Sequence, residues 1–225
     1  MQFKAVLIDI DNTLFDFHKS SYAALVQSFF EIGVTFTPEM FQDYTLVNNA
    51  HWEAYERGEI KKEEIYTHRF EQYFSSIGIA ADQTKFDQSY RTNLSKQVAF
   101  MPHCEELLKA LHGKYKVFVV TNGDTFAQER RIRNSGMEQY FDGVFISEQL
   151  GCKKPDKEYF DRVFALIGEE YRDCSILVGD SLSSDMQGGR NAGIPTCFYG
   201  KREQADERCD YVIEDLLDLL PILQG

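Results

Sequence analysis

The spacing of apolar residues changes within the first hundred positions of the chain. Residues 6–8 form an unbroken apolar run, which is typical of a strand buried on both faces. Residues 38–57, 61–76 and 83–97 mix aromatic and charged residues without strand-like alternation, which favours helices. Between these regions, apolar residues recur at the spacing of one helical face: Tyr22, Leu25, Val26, Phe29 and Phe30. The pattern therefore predicts one strand followed by an all-helical block over residues 15–100.

The helical block is rich in aromatic residues, and we expect these to form its hydrophobic core rather than a ligand cage. The residues concerned are Trp52, Tyr55, Tyr66, Phe70, Tyr73 and Phe74. Aromatic rings bury large apolar areas, so a core position is the simpler interpretation for each of them.

Beyond residue 101, short apolar runs alternate with helical segments. The predicted strands cover residues 115–120, 144–146, 175–178, 195–199 and 211–213. Thr125 and Gln128 have the spacing of a capping box, which predicts that a helix starts there. Such alternation is typical of a parallel sheet covered on both faces. The sequence predicts an α/β protein with a doubly wound parallel sheet, formed by residues 1–14 and 101–225, and an all-helical domain inserted at residues 15–100.

Composition narrows the class of protein. The chain has 225 residues, of which 43% are hydrophobic, and this suits a globular protein with a sizeable core. Its formal charge of -12 argues against a nucleic-acid polymer as partner, because phosphate backbones need clustered Lys and Arg. We find no secretory signal and no window near the roughly 20 apolar residues of a membrane span. The five cysteines include no CxxC pair, so we expect reduced thiols and a cytoplasmic protein.

Polar side chains follow four of the predicted strands at the points where those strands end. In chain order they are Asp9 and Asp11, Thr121 and Asn122, Lys154, and Asp180, Ser181 and Asp185. Because the carboxyl ends of parallel strands lie at one edge of a sheet, we expect these groups to meet there.

The chemistry of these groups predicts a metal and a phosphate. Carboxylates within a few ångströms of one another repel unless a cation lies among them. Oxygen ligands without His or Cys suit Mg²⁺, which binds through carboxylates, waters and a substrate phosphate. Lys154, Thr121 and Asn122 could then receive the phosphate that shares the ion.

Each group also has a simpler structural interpretation. Asn122-Gly123 is a common turn pair, and Lys154 could be a solvated loop lysine. Asp180, Ser181 and Asp185 could cap the helix that contains residues 186–191. These interpretations explain each group separately but not their joint occurrence in this order along the predicted sheet.

The chain resembles the haloacid dehalogenase superfamily in four motifs: Asp9-Ile10-Asp11-Asn12-Thr13, Thr121-Asn122, Lys154-Pro155, and Gly179-Asp180 with Asp185. The inserted helical block resembles the four-helix cap of the C1 members. Residues 14–17, 121–123, 147–151, 178–180, 184–185 and 188–193 are similar to the noncanonical pyrimidine 5′-nucleotidase branch. Asn12 stands where many members carry Asp or Gly, and both acids remain intact.

The resemblance implies a role for each site residue. Asp9 would be the nucleophile that forms an aspartyl-phosphate, and Asp11 the acid and base. Mg²⁺ would be bound by the carboxylates of Asp9 and Asp180 and by the carbonyl of Asp11. Phosphate would be held by Thr121, Asn122 and Lys154. Asp185 and Ser181 would support these groups without touching the substrate.

The implied substrate is a small phosphomonoester, and the branch favours pyrimidine nucleoside 5′-monophosphates. Phe15, Phe17 and His18 follow the first motif, so they could touch the leaving group or hinge the cap. A sugar-phosphate or 2-phosphoglycolate phosphatase is the alternative. A 2-haloacid dehalogenase would not need Asp11, a phosphomutase would transfer to a sugar hydroxyl, and an inactive binding protein should have lost one of the motif residues. Oligomeric state does not follow from the sequence.

Overall fold

The structure, a computed structural model, describes residues 3–225. Within that range the centre of the fold is a six-stranded sheet in which neighbouring strands are parallel. The strands are β1 (Ala5–Ile8), β2 (Lys116–Thr121), β3 (Gly143–Ile146), β4 (Ser175–Gly179), β5 (Thr196–Tyr199) and β6 (Tyr211–Ile213). Their spatial order is β3-β2-β1-β4-β5-β6, so the predicted doubly wound parallel sheet is confirmed.

α-Helices lie between most consecutive strands of the described residues, and five of them lie between β1 and β2. In chain order the helices of the described residues are α1 (Phe17–Glu31), α2 (Pro38–Glu56), α3 (Lys62–Ile77), α4 (Gln83–Leu94), α5 (Cys104–Leu111), α6 (Thr125–Ser135), α7 (Ser147–Leu150), α8 (Lys157–Ile167), α9 (Gln187–Ala192) and α10 (Leu219–Gln224).

Both faces of the sheet are buried. Successive side chains of a strand point to opposite sides, so each strand contributes to a core on each face. Val6 and Ile8 of β1 belong to one hydrophobic core, which also contains buried residues of α5, α6 and α10. Leu7 belongs to a second core with buried residues of α8 and α9. The unbroken apolar run of β1 is therefore a consequence of helices on both sides.

The chain divides into two compact units. One contains residues 3–17 and 98–225 with the whole sheet, and the other contains residues 18–97 with α2 to α4 and all but the first residue of α1. The predicted limits, after residue 14 and before residue 101, lie close to these boundaries. That the helical unit acts as a cap stays a prediction.

The helical unit has an aromatic core. Tyr55, Phe70, Tyr73 and Phe74 are buried, as the sequence predicts for them. Neighbouring rings meet mainly edge to face, as where the Phe70 and Phe86 centroids lie 4.8 Å apart. The prediction of a core position is wrong for two other aromatics, Trp52 and Tyr66, which are only half-buried.

The predicted apolar face of α1 is wrong in part. Leu25 and Phe29 are buried, but Val26 is 40% exposed and Phe30 is 76% exposed. The buried stripe of α1 consists largely of small residues: Ser20, Ser21, Ala24, Leu25, Ser28 and Phe29. Ser28 Oγ donates to the Ala24 carbonyl at 2.8 Å, so this hydroxyl is satisfied inside the helix. A pattern of apolar residues does not reveal a face built from serines.

Two further expectations concern the cysteines and the membrane. The five cysteines are free thiols, which agrees with the predicted absence of a disulfide framework. Among residues 3–225, none of the helices has both the length and the apolar character that crossing a bilayer requires.

Candidate active site

The strand order reverses between β1 and β4, and the predicted polar residues collect at that point. The neighbours of β1 are β2 and β4, so the chain leaves β1 and β4 in opposite directions along the sheet. Asp9 extends β1, and its N–H donates to the Val178 carbonyl at 2.9 Å. Asp180 directly follows β4. In doubly wound sheets the crevice beyond such strand ends is where ligands bind.

Lys154 is a buried ammonium within this site. Its Nζ lies 2.6 Å from Asp9 Oδ1, 2.6 Å from Asp185 Oδ1 and 2.9 Å from the Val120 carbonyl, so each N–H has an acceptor. Burial by itself lowers the pKa of Lys154, but the charges of Asp185 and Asp9 outweigh burial and raise it. With 2% of its surface exposed, Lys154 is a fixed cation and not a solvated loop lysine.

Asn122 fixes the backbone of Lys154. Its Nδ2 donates to the Lys154 carbonyl at 2.9 Å, and its Oδ1 accepts from the Lys154 N–H at 3.0 Å. Asn122 is buried, so this pair of bonds is shielded from water. The amide thus connects the loops after β2 and β3, and the predicted contact of Asn122 with phosphate stays a prediction.

Thr121 has a hydroxyl that is oriented by two donors. The Gly123 N–H donates to Thr121 Oγ1 at 3.0 Å, and Gln128 Nε2 donates to the same oxygen at 3.1 Å. Because a hydroxyl has two acceptor sites and one proton, its remaining capacity is as a donor. That capacity suits the predicted contact with an anionic phosphate oxygen.

Three carboxylates crowd together beside Lys154. One oxygen each from Asp9, Asp180 and Asp185 lies within 4.8 Å of the other two. Burial is the main cause that raises the pKa of Asp9 to about 7; Lys154 opposes this shift, and Asp185 and Asp11 add to it. Burial, with the charge of Asp9, also raises the pKa of Asp180 well above its ordinary value. One ammonium does not balance three carboxylates, so the cluster suits an added cation.

The cluster fits Mg²⁺ in donor type, spacing and charge. Its side-chain donors are all carboxylate oxygens, which hard divalent ions prefer. Mg²⁺ binds oxygens at about 2.0–2.1 Å, which places adjacent ligands about 3 Å apart, within the spread of this cluster. Both oxygens of Asp185 already accept bonds, from Lys154 Nζ and from the Ser181 N–H at 3.2 Å. Asp9 and Asp180 are therefore better placed as direct ligands than Asp185.

The last residue of β4 is Gly179, and the structure leaves no room there for a side chain. A Cβ at Gly179 would collide with the carboxylate of Asp185. Ser181 Oγ accepts from the Ser184 N–H at 3.1 Å and so caps the short π-helical segment of residues 182–186. The capping interpretation thus holds for Ser181, whereas the Asp185 side chain bonds to Lys154.

The turn after Asp11 explains why asparagine is accepted at position 12. Asn12 has φ +57°, a left-handed conformation that Gly, Asn and Asp adopt more readily than other residues. Its N–H donates to the Phe15 carbonyl at 2.7 Å and closes the turn. Within this turn, Thr13 Oγ1 donates to Asp180 Oδ1 at 3.4 Å.

Asp11 is held by α6 through two residues that the sequence interpretation missed. Gln128 Nε2 donates to Asp11 Oδ2 at 2.7 Å, and Arg131 Nη1 donates to Asp11 Oδ1 at 2.5 Å. The predicted capping box is wrong, because Asp124 caps α6 by accepting from the Ala127 N–H at 2.8 Å. The available signal was a Gln and an Arg at helical spacing within the buried stripe of α6.

The carboxylate of Asp11 is not part of the acidic cluster found among the described residues. The predicted metal contact through the Asp11 carbonyl is a separate matter and stays a prediction. The geometry thus brings together Asp9, Lys154, Asp180 and Asp185, and it holds Asp11 from another side.

Comparison with known proteins gives consistent matches over most of the chain. The sequence model of the haloacid dehalogenase-like hydrolases matches residues 3–193. The pyrimidine 5′-nucleotidase PynA of Streptococcus pneumoniae is 35% identical, covering 98% of this chain and 96% of PynA. The pyrimidine 5′-nucleotidase YjjG of Escherichia coli is 34% identical, covering 92% of this chain and 91% of YjjG.

Solved structures of the same fold agree with these sequence matches. A magnesium-bound crystal structure of the HAD-hydrolase YfnB from Bacillus subtilis has a TM-score of 0.93 and 31% identity, with both chains fully covered. An L-2-haloacid dehalogenase from Xanthobacter autotrophicus has a TM-score of 0.77 at 18% identity, covering 100% of this chain and 99% of that one, which is a likeness of fold alone.

Proposed function

The chain belongs to the haloacid dehalogenase-like hydrolase family, and we propose that it is a Mg²⁺-dependent phosphomonoesterase that acts through an aspartyl-phosphate on pyrimidine nucleoside 5′-monophosphates. The observation that carries the chemistry is the buried Asp9 carboxylate, which Lys154 holds in an acidic cluster with Asp180. The substrate class is supported by the likeness to PynA and YjjG over nearly the whole chain.

In the first step, Asp9 attacks the phosphorus atom in line with the leaving oxygen. Lys154 Nζ donates to Asp9 Oδ1, which leaves Oδ2 as the oxygen without that hydrogen bond. The bond from phosphorus to the leaving oxygen breaks while Asp11 donates its proton to that oxygen. The nucleoside leaves as a neutral alcohol, and Asp9 carries the phosphoryl group.

In the second step, water attacks the phosphorus atom of the aspartyl-phosphate. Asp11, now a carboxylate, accepts a proton from the water. The bond between phosphorus and the Asp9 oxygen breaks, which restores the carboxylate and releases inorganic phosphate. The Thr121 hydroxyl donates to a phosphoryl oxygen, and the Lys154 charge lies beside the transferring group in both steps.

The metal would be held by Asp9 and Asp180, with Asp11 adding its carbonyl oxygen. When bound, Mg²⁺ supplies positive charge that stabilises the phosphoryl oxygens. Thr13 keeps Asp180 in place by a hydrogen bond at 3.4 Å. Asp185 orients Lys154, because its Oδ1 accepts from Nζ at 2.6 Å.

Of the three residues predicted to touch the leaving group or hinge the cap, Phe15 is buried, Phe17 is half-buried and His18 is exposed. Phe15 is fully buried and packs edge to face against Phe100, with centroids 5.6 Å apart, so it does not face a leaving group. Phe70 and Tyr73 belong to the core of the helical unit. The nucleotide assignment therefore rests on the relatives and not on a stacking surface.

The experiment that tests the substrate is a comparison of kcat/KM under saturating Mg²⁺. UMP, dUMP and dTMP are compared with glucose 6-phosphate and 2-phosphoglycolate. We expect the nucleotides to be preferred. A tenfold preference for either non-nucleotide ester, which is about 1.4 kcal/mol in transition-state free energy, would refute the nucleotide assignment and leave the phosphatase chemistry standing.

A further inference from the structure

The side chain of Asp11 is anchored at both oxygens by buried residues of α6. Arg131 donates to Oδ1 at 2.5 Å, and Gln128 donates to Oδ2 at 2.7 Å. Both donors are 1% exposed, whereas the Asp11 side chain is 26% exposed. The carboxylate is thus tied down on its inner side and keeps an open side.

The two anchors are joined to each other and to their surroundings. Arg131 Nη1 donates to Gln128 Oε1 at 2.9 Å, and Gln128 Nε2 also donates to Thr121 Oγ1 at 3.1 Å. The guanidinium carbon of Arg131 lies 5.3 Å from the ring centroid of Phe15, which closes the turn after Asp11. This network therefore connects Asp11 to the Thr121 hydroxyl and to its own turn.

Packing does not account for the charge of Arg131. A buried guanidinium is costly until a partner offsets the loss of water, and an apolar side chain of similar length would occupy the site without that cost. That cost is offset by Asp11, whose carboxylate accepts from Arg131 at one oxygen and from Gln128 at the other.

We propose that Arg131 and Gln128 are positioning residues that hold the Asp11 carboxylate in the orientation from which it exchanges protons with the leaving oxygen and with water. Both act on the reaction through Asp11, and Gln128 also orients the Thr121 hydroxyl. This inference rests on the proposed function, because it requires Asp11 to be the acid. It does not require the substrate to be a nucleotide.

The test uses two esters of similar shape, p-nitrophenyl phosphate and phenyl phosphate. The nitrophenolate leaves readily without a proton, whereas phenolate depends more on the acid. Arg131→Met removes the charge, Arg131→Lys keeps it, and Gln128→Leu removes the second anchor. Arg130→Met, at an exposed position of the same helix, is the matched control. Asp11→Asn is the reference for loss of the acid, and kcat and KM are measured under saturating Mg²⁺.

We expect Arg131→Met and Gln128→Leu to lower kcat for phenyl phosphate at least about fivefold more than kcat for p-nitrophenyl phosphate, because general acid catalysis is worth 10²–10⁴-fold. KM should stay within about twofold for both esters in Arg131→Met, which leaves the contact between Gln128 and Thr121 in place. Asp11→Asn should show the same selectivity with a larger loss. Arg131→Lys should recover most of the activity, and Arg130→Met should change neither ester.

Equal losses on both esters in Arg131→Met and Gln128→Leu, or no loss, would overturn the inference, as would equal losses in Asp11→Asn. If Arg131→Met does not fold, Gln128→Leu makes the same comparison and decides it. A wild-type enzyme that releases phosphate from neither ester would refute the phosphatase function itself. A wild-type enzyme that hydrolyses both esters but prefers glucose 6-phosphate to UMP would refute only the nucleotide assignment.

Discussion

Each of the two compact units buries a cation, and the charges around the two cations differ. In the unit that contains the sheet, Lys154 is 2% exposed and pairs with Asp9 and Asp185. In the helical unit, Arg69 is 3% exposed and pairs with Asp87 at 2.6 Å. Distance and burial are nearly the same at the two sites, so what separates them is the balance of charge.

The buried charges around Arg69 are balanced, because one buried guanidinium faces one buried carboxylate and Arg91 is partly exposed. Asp87 accepts from Arg69 through Oδ1 and from Arg91 through Oδ2 at 2.8 Å. Arg69 also donates to Asn48 Oδ1 at 3.0 Å. Burial alone lowers the pKa of Arg69, but Tyr44 and Asp87 outweigh it and raise the pKa. Such a pair connects helices and has no need of a ligand.

The charges around Lys154 are not balanced. Three carboxylates share one ammonium, and burial raises the pKa values of Asp9 and Asp180. The contrast teaches that a buried ion pair alone does not mark a site. An excess of buried charge of one sign points to a site, because either protonation or a ligand of the opposite sign must offset it.

The largest expected difference between the sites of Lys154 and Arg69 is in catalysis. Asp9→Asn should lower phosphate release at least about a thousandfold, or roughly 4 kcal/mol in barrier, because the amide is a poor nucleophile. It also removes one charge from a crowded anionic cluster, so the metal-free protein should melt no lower than the wild type. Turnover and melting temperature are measured together. Substantial residual turnover would show that Asp9 is not the nucleophile.

The second largest effect is on stability and concerns the helical unit. Asp87→Ala should lower the free energy of unfolding by about 3–5 kcal/mol, because it leaves Arg69 as a buried charge without its carboxylate. The exposed Asp43→Asn in the same unit is the control and should change it by less than about 0.5 kcal/mol. Denaturant unfolding measures both. A loss as small as that of the control would contradict the balanced-pair account.

The third effect is the stabilisation by Mg²⁺, which we expect at the acidic cluster beside Lys154 and not at the Arg69 pair. Mg²⁺ at 100 times its dissociation constant should stabilise the wild type by about 2.7 kcal/mol. The gain should shrink in Asp180→Asn and persist in the control Asp43→Asn. Melting curves with and without Mg²⁺ measure it, and activity should vanish in excess EDTA. Full activity in EDTA would refute the role of the metal.

The smallest effect is expected at an exposed pair. Lys157 Nζ lies 2.7 Å from Asp161 Oδ2, as close as the buried pairs, but the two side chains are 60% and 41% exposed. Lys157→Met should therefore change the free energy of unfolding by less than about 1 kcal/mol, because water screens the pair. Chemical denaturation beside Asp87→Ala checks this. A comparable loss at the exposed pair would mean that burial is not the deciding variable.

Local sequence is sufficient to predict the sheet and the positions of the predicted site loops. The apolar run of β1 reports burial on both faces, and the order of Asp9, Thr121, Lys154 and Asp180 along alternating strands and helices places them at one edge. The Asn12 position is also readable, because few residues accept φ +57°. Periodicity fails in α1, where it does not show that Val26 and Phe30 are exposed.

The sequence by itself determined which polar residues end the strands at one edge of the sheet, and tertiary structure decided how they are paired. Asn122 bonds to the Lys154 backbone 32 positions away, and Asp11 meets Gln128 and Arg131 at separations of 117 and 120 positions. A helical pattern tells which face of α6 is buried, but a hydrogen bond requires donor and acceptor to be placed within a few tenths of an ångström. Only the packing of α6 against the turn after β1 sets that placement, and so only the fold could show what holds Asp11.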